Sequence, residues 1–221
     1  SEGNTLQSQI TASMDVLNKD FAGSELTFKL EKVEHITNAD WFNWAQQDST
    51  NQTEMKQSLR KGNASALNVY TGCFSDIVGT GYATFPADYS SAPMDDGVLI
   101  RYTTLPGGTN ASWDLGRILT HEVGQWVGLY HTSSGGCSEP GDFVADNPPQ
   151  GNQSPSSGCL IGKDTCPGGG PDPVHNHIDY SDDSCKTEFT PGQIARLQAQ
   201  LTTYRGVYCG LQNGLRTALS S

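Results

Sequence analysis

The sequence predicts an α+β fold in which a half of helices and strands is followed by a half made mostly of loops. Two observations support this prediction. Apolar periods typical of helices and strands extend from the first residues to His131, whereas four of the six cysteines crowd into residues 137–185, which are rich in Gly, Pro, Ser and Asp. Such a segment lacks apolar residues for a core, and we expect disulfide bonds to hold it. We therefore divide the chain into residues 1–131 and residues 132–221.

Helices and strands alternate in the first half. Apolar residues spaced by three or four over residues 6–17 predict an amphipathic first helix. Residues 26–30 alternate apolar and polar side chains, which predicts a half-buried strand. Residues 51–61 predict a second helix. Residues 67–71 and 97–103 are rich in β-branched and aromatic side chains and predict two further strands.

A shorter strand and a closing helix complete the predicted elements. The strand ends at Pro86, which suits a sheet edge because proline cannot donate a hydrogen bond to a neighbouring strand. Thr190, Pro191 and Gln193 have the pattern of a helix N-terminus with a capping box. Ile194, Leu197 and Leu201 would form the buried face of that helix. The predicted strand comprises Gly81, Tyr82, Ala83, Thr84 and Phe85.

One stretch carries the chemistry, and it reads H-E-x-x-Q-x-x-G-x-x-H from its first residue, His121. The signature of metzincin zinc proteases differs only in having histidine where Gln125 stands. Residues four apart on a helix share a face, so His121 and Gln125 can present donors to one metal ion. Glu122 would lie beside that ion and take a proton from water. Gly128 permits the turn that returns His131 as third ligand, which leaves the open position of a catalytic zinc site. The helix that bears this motif is expected to start near residues 112–114.

Composition excludes several classes of function. The formal net charge of −11 argues against nucleic acid and anionic membranes as partners; it could favour basic substrates, although a solvated acidic surface is the simpler explanation. No apolar run approaches the ~20 residues of a membrane span. The even set of cysteines and four glycosylation sequons together predict a secreted, extracellular glycoprotein, with Ser1 at the start of a processed form. A monomer is expected. The sequons begin at Asn51, Asn63, Asn110 and Asn152.

Beyond the zinc signature, further blocks resemble the pappalysin family of metzincin metalloproteases, especially its secreted fungal and microbial branch. The resemblance is strongest over residues 65–205. It implies a metzincin-like zincin fold, with a twisted, mixed five-stranded sheet, two long helices, an irregular disulfide-bonded C-terminal subdomain and a closing helix. It also implies that residues 81–85 form the antiparallel edge that binds extended peptides. The blocks are GYATFP from Gly81, LYHT from Leu129, GGC from Gly135, GD from Gly141, DTC from Asp164, DYSDDSC from Asp179 and FTPGQ from Phe189.

The same resemblance implies cross-links and a second metal. Cys137 would pair with Cys166 and Cys159 with Cys185, which leaves Cys73 and Cys209 as a third pair. Family members also bind calcium in loops below the cleft. Asp142 and Asp146 are the candidate ligands here.

Departures from the family pattern cluster around the metal. Tyr180 keeps the place of a tyrosine that could hydrogen-bond the metal-bound water or an oxyanion. The methionine of the family's tight turn is Ile178, a swap of similar volume. His177 replaces a usual aromatic residue and could serve as a substitute ligand. The glutamine at position 125 offers an amide oxygen, a weaker zinc ligand than imidazole.

Three functional hypotheses follow from these residues. The first is a zinc metalloendopeptidase, of full or attenuated activity, in which His121, His131 and Gln125 or a water hold zinc while Glu122 acts as general base on a peptide or protein substrate. The second is a pseudoprotease that binds peptides or proteins without cutting them. The third is a rebuilt site in which His177 supplies the missing nitrogen.

Overall fold

A computed structural model describes residues 3–75, 79–138, 140–151, 158–209 and 215–220. The described residues form five α-helices and five β-strands, joined by short 3₁₀ turns and long loops. The helices are α1 (Gln7–Asp20), α2 (Ala39–Trp44), α3 (Thr50–Leu59), α4 (Arg117–Trp126) and α5 (Pro191–Gln200). The strands are β1 (Phe28–Glu34), β2 (Ala66–Gly72), β3 (Gly81–Ala83), β4 (Val98–Arg101) and β5 (Leu215–Ser220).

The predicted mixed sheet is confirmed, with strand order β1-β5-β2-β4-β3. Four strands run parallel, and β3 pairs antiparallel with β4 at one edge. The edge position fits the proline that closely follows β3 in the chain. One bond from Thr84 N to Gly97 O, 3.1 Å, extends the pairing beyond β3. The outer side of β3 therefore faces the cleft without a partner strand among the described residues.

Strand β5 comes from the last residues of the chain and lies between β1 and β2. We predicted a closing helix in this half and no strand after it. The structure therefore joins the end of the chain to the sheet of the first half. The division into residues 1–131 and 132–221 stays a proposal.

The main core lies between the sheet and α1, α4 and α5. Helix α1 presents the face predicted from its apolar period, although Leu6 precedes the helix and is exposed. Helix α4 is buried along most of its length, which places its motif residues inside the molecule. The predicted capping box of α5 is present, with Thr190 and Gln193 exchanging hydrogen bonds. Central members of this core are Leu17, Phe21, Val69, Ile100, Val123, Trp126, Leu197 and Leu201.

Two disulfide bonds hold the second half, where regular structure is sparse. They join Cys137 to Cys166 and Cys159 to Cys185, the pairs that the family resemblance implies. The pairing expected between Cys73 and Cys209 is wrong, because both are free thiols.

The free thiols lie at opposite ends of the parallel strands. Cys73 follows the carboxyl end of β2, where its amide donates to Phe42 O at 2.8 Å. Cys209 packs against the core near Glu25, which precedes β1; burial and the Glu25 charge raise the pKa of its thiol. A strand of seven residues spans roughly 20 Å, whereas bonded cysteines have Cα atoms within about 7 Å.

None of the helices among the described residues is long and apolar enough to cross a membrane. The sequon at Asn152 lies outside the described residues. The other three sequons remain predictions of glycosylation.

Candidate functional site

Two imidazoles from the motif face each other at the carboxyl-terminal part of α4. His121 Nε2 lies 3.0 Å from His131 Nε2. Helix α4 ends after Trp126, and Gly128 adopts a left-handed φ of 103°, so the chain turns and brings His131 back, as predicted from the motif. The spacing of the two nitrogens is close to the ~3.3 Å expected for two imidazoles on one tetrahedral zinc ion.

Backbone contacts orient His121 for ligation. Its Nδ1 lies 2.9 Å from the carbonyl oxygen of His177, so Nδ1 carries the proton and Nε2 presents a lone pair to the cluster. Burial holds the pKa of His121 well below its usual range, so the ring is neutral at pH 7. A neutral ring with its lone pair aimed inward is the state that binds a metal.

His131 is held in the same way from the other side. Its Nδ1 lies 3.2 Å from the Tyr180 hydroxyl, and burial lowers the pKa of His131 to about 4, with the Lys186 charge adding to this. The Tyr180 hydroxyl can either accept from His131 Nδ1 or donate to it. In the tautomer with the proton on Nδ1, the Nε2 lone pair of His131 faces that of His121 at 3.0 Å, and a cation between the two nitrogens would relieve their repulsion. The donor set therefore fits a metal ion.

Gln125 completes the ring of donors. Its Nε2 lies 3.1 Å from His131 Nε2 and 3.4 Å from a carboxylate oxygen of Glu122. Rotation of the amide by 180° would place Oε1 where Nε2 lies and offer an oxygen to a metal. The side chain can thus act as a weak third ligand or as a donor that bonds Glu122, but a single orientation does not do both.

Glu122 is buried beside the histidines and adjoins the edge strand. Burial raises its pKa to about 8, and the positive charge of Lys186 opposes that rise. A methyl group added to Gly81 would come within 3.0 Å of Glu122 Oε1 and 2.6 Å of Leu99 O, so only glycine leaves the carboxylate room at this point of β3. The carboxylate lies between the imidazole pair and β3, the position that the motif predicts for a general base.

The turn beneath the cluster packs against α4. Ile178 is fully buried, and its Cδ1 would lie 2.3 Å from a Cβ added at Gly124. Isoleucine thus fills the place under the helix that the family gives to methionine. Tyr180 follows in the cleft wall and bonds His131, a contact that we did not predict.

The prediction that the His177 ring could replace a ligand is wrong. Its ring packs against Phe189 at 4.7 Å, and its Nδ1 lies 3.9 Å from Asp20 Oδ2. Only the backbone carbonyl of His177 reaches His121. The tight turn that brings this carbonyl to His121 directs the side chain into the core.

A cleft of about 770 Å³ runs between the cluster and β3. Gly81, Tyr82, Ala83 and Phe85 line it, whereas the Thr84 side chain bonds Asp96 and Gly97. Lys186, which has a buried side chain, also lines the cleft. This lysine was not among the predicted site residues. The only feature of the sequence that could have placed it near the site is its position directly after Cys185.

The candidate calcium ligands hold loops through hydrogen bonds to the chain. Asp142 accepts from Val144 N and from Asn147, and Asp146 accepts from Thr190 and from Gly192 N at the start of α5. These contacts give each carboxylate a structural role. Calcium binding at this position stays a prediction.

One further cluster brings together three groups that often bind metals, namely Cys159, His175 and Cys185. The two sulfurs form a disulfide bond, so they are not the thiolates that a metal requires. His175 Nδ1 lies 2.8 Å from the carbonyl of Cys185 and supports this loop.

Comparison with known proteins agrees with the geometry. The sequence model of the family described as pregnancy-associated plasma protein-A, a peptidase family, matches residues 62–202. The chain is 46% identical over 201 residues to an extracellular metalloprotease of Verticillium alfalfae, covering 89% of this chain and 68% of that relative. It is 43% identical over 208 residues to extracellular metalloprotease 1 of Coccidioides posadasii, covering 92% of this chain and 72% of that relative.

A solved structure has the same fold. Mature mirolysin of Tannerella forsythia, in complex with a cleaved peptide, superposes with a TM-score of 0.72 at 27% identity, covering 96% of this chain and 87% of that chain. Family match, curated relatives and fold all agree with the zinc-protease motif on α4. The chain therefore belongs to the pappalysin family of metalloproteases, whose sequence model carries the name of pregnancy-associated plasma protein-A.

Proposed function

We propose that this chain is an extracellular zinc endopeptidase with a weakened metal site. The observation that carries the proposal is the pair of neutral imidazoles, His121 and His131, whose Nε2 atoms lie 3.0 Å apart beside Gln125 and the carboxylate of Glu122. The curated relatives are named extracellular metalloproteases, and disulfide bonds persist in that compartment.

Each part of the site has a role in peptide hydrolysis. His121, His131 and the Gln125 amide oxygen would hold zinc, which when bound would supply a Lewis acid for the scissile carbonyl and for the attacking water. Glu122 accepts the proton of the attacking water and returns it to the leaving amine. This role requires an ionised Glu122. Burial raises its pKa to about 8, which opposes ionisation, and the positive charges of Lys186 and of a bound zinc ion would favour it.

Substrate binding would use the edge strand. The outer side of β3 faces the cleft and can pair with an extended peptide, whose backbone N–H and C=O groups would satisfy those of the strand. Strand addition fixes the peptide backbone over Glu122, so many sequences can bind and the side-chain pockets set the preference.

A second candidate function is peptide binding without cleavage. It is favoured by one contact, the Gln125 amide nitrogen within reach of both His131 and Glu122. In this orientation glutamine fills the space between a ligand and the general base and offers a metal no lone pair. The fold would then be retained for recognition alone.

Metal content and turnover separate the two functions. Protein purified without added metal or chelator would be analysed by elemental mass spectrometry, and cleavage of casein and of a quenched fluorescent peptide would be followed with and without phenanthroline. If the chain is an endopeptidase, we expect about one zinc per chain and cleavage that phenanthroline abolishes. Absence of zinc even after incubation with excess metal, together with no cleavage, would leave peptide binding as the function.

Three variants sharpen this test. Glu122→Ala should keep zinc and lose cleavage, since Glu122 is not a ligand. His121→Ala should lose both. His35→Ala, at an exposed histidine outside the site, is the matched control and should change neither. Cleavage that survives in Glu122→Ala would show that a contaminating protease is responsible.

A further inference from the structure

Lys186 brings a positive charge to the wall of the cleft. Its side chain has 1% exposure and lines the same cavity as His121 and Glu122. The backbone there is firmly held, because Cys185 is cross-linked to Cys159 and Lys186 N donates to Asp183 O at 3.3 Å. The side chain is buried as well, and its positive charge acts on His121, Glu122 and His131.

Nothing within the described ranges pairs directly with this ammonium. Lys186 takes part in none of the ion pairs found there, and its Nζ makes none of the hydrogen bonds. Burial lowers the pKa of Lys186, and carboxylates at longer range oppose this, chiefly those of Asp183, Asp179 and Glu122. Because a charge removed from water is costly without a close partner, such a group favours binding an anion from outside.

The local charge of the cleft differs from that of the whole chain. The net charge is −11, which by itself would favour basic substrates. Among the described lining residues, however, Lys186 and Arg101 are cations and Glu122 is the one carboxylate. Glu122 has the proposed role of general base and does not bind substrate side chains. The remaining charges of the cleft are positive and are therefore complementary to an acidic peptide side chain.

We propose that Lys186 determines specificity by binding the carboxylate of an Asp or Glu side chain of the peptide, close to the scissile bond. Turnover of such peptides rests on the proposed endopeptidase function, but their binding does not. The buried ammonium has lost its hydrogen bonds to water. A substrate carboxylate that enters the cleft would accept a charge-assisted hydrogen bond from the ammonium in their place.

An internal role competes with this one. Asp183 Oδ1 is buried without a hydrogen-bond partner, so Lys186 could serve only to balance that charge. In that case Lys186→Met would destabilise the fold and leave the substrate preference unchanged. Methionine has nearly the shape of the lysine side chain, so the variant should still pack.

The test uses peptide pairs that differ only by Glu or Gln at each position flanking the cleavage site. We expect wild-type kcat/KM to favour Glu at one position by at least about tenfold and Lys186→Met to lose that preference. Lys29→Met, which removes the same charge from a side chain 75% exposed on β1, is the matched control and should keep the preference. Equal rates for every Glu and Gln pair, or a preference that persists in Lys186→Met, would overturn the proposal.

Binding separates this proposal from the endopeptidase function. Titration calorimetry would compare the Glu and Gln peptides on Glu122→Ala protein, with and without Lys186→Met. Tighter binding of the Glu peptide that depends on Lys186 supports the proposal even where no peptide is cleaved, in which case only the endopeptidase function fails. If the protein cleaves peptides but shows no preference for Glu in rate or in binding, the endopeptidase function is supported and the proposed role of Lys186 is refuted.

Discussion

The chemistry of this site depends on one side chain, Gln125. Its amide reaches both His131 and Glu122 from the position at which the metzincin signature has a histidine. An uncharged amide oxygen binds zinc more weakly than imidazole nitrogen does, so in the proposed zinc site the two remaining histidines would carry most of the affinity. The residues around it are otherwise arranged for ligation, since the Nε2 atoms of the two imidazoles lie 3.0 Å apart.

Gln125→His should restore a third nitrogen ligand. We expect zinc affinity to rise by roughly 100-fold or more, because even changes beyond the ligands alter affinity by about 10–100-fold. Competition with a chelator of known affinity measures the change. Gln52→His, at a buried glutamine of α3 outside the cleft, is the matched control. Unchanged zinc affinity in Gln125→His would show that position 125 is not a ligand position.

Gly81 is the residue of β3 whose lack of a side chain has a direct consequence for Glu122. In Gly81→Ala the new Cβ would lie 2.6 Å from the carbonyl oxygen of Leu99, which the sheet holds in place. Either the β3–β4 pairing opens or Glu122 moves, so we expect kcat/KM to fall by at least about tenfold. Gly23→Ala, whose Cβ meets only ordinary contacts, should retain activity. Full activity of Gly81→Ala would contradict the close approach of β3 to Glu122.

At the scale of elements, the start of α4 is the feature that could not be predicted from the local sequence. The helix was expected to start near residues 112–114, where Ser and Asp offer caps, but it begins at Arg117 after Gly116. The cap comes instead from Asp183, whose Oδ2 accepts from Leu115 N at 3.0 Å and Arg117 N at 3.1 Å. A cap supplied from 66 residues away leaves no local signal.

Asp183→Ala should therefore destabilise the protein through the start of α4. Two backbone N–H groups lose their acceptor, and we expect a cost of about 1–3 kcal/mol in the free energy of unfolding. Asp183→Asn keeps one acceptor oxygen and should lose less. Asp15→Ala, at an exposed aspartate of α1, serves as the control and should change stability by less than about 0.5 kcal/mol. Urea unfolding measures all three, and equal stability of Asp183→Ala and wild type would refute the cap.

The predictable parts of the site are those encoded over short distances in the chain. His121, Glu122, Gln125 and His131 follow from helical spacing and one glycine turn, and the structure brings all four together. Lys186 could not be predicted, because its approach to the cleft depends on how the second half folds over α4.

The same distinction applies to the sheet and the cross-links. An edge strand followed by proline was readable from local sequence, and β3 is the antiparallel edge. The placement of β5 between β1 and β2 had no local signal, since strand neighbours are chosen by packing. Pairing Cys73 with Cys209 by elimination failed for a related reason, because an even number of cysteines does not determine which thiols meet.

On the scale of the whole molecule, a buried polar network ties the end of α5 to the sheet and α4. Arg205, in the turn after α5, donates to both carboxylate oxygens of Asp96 at 2.8 and 3.1 Å. Its guanidinium lies 3.6 Å from the ring centroid of Trp126 and also donates to the Trp126 carbonyl. Trp126 Nε1 closes the network on Asp96 at 3.0 Å. The closing helix is thereby fixed to the base of the helix that bears the site.

Removing Arg205 should weaken the whole fold. Arg205→Met leaves the buried Asp96 without its bidentate partner, and we expect a loss of about 3–5 kcal/mol in the free energy of unfolding. The double variant Arg205→Met/Asp96→Asn removes both charges and should cost less than the sum of the single variants by about 1–3 kcal/mol. Lys61→Met, at an exposed lysine, is the control. Denaturant unfolding of wild type, Arg205→Met, Asp96→Asn and the double variant completes the cycle. Strict additivity of the free-energy changes would show that the ion pair does not join the closing helix to the sheet.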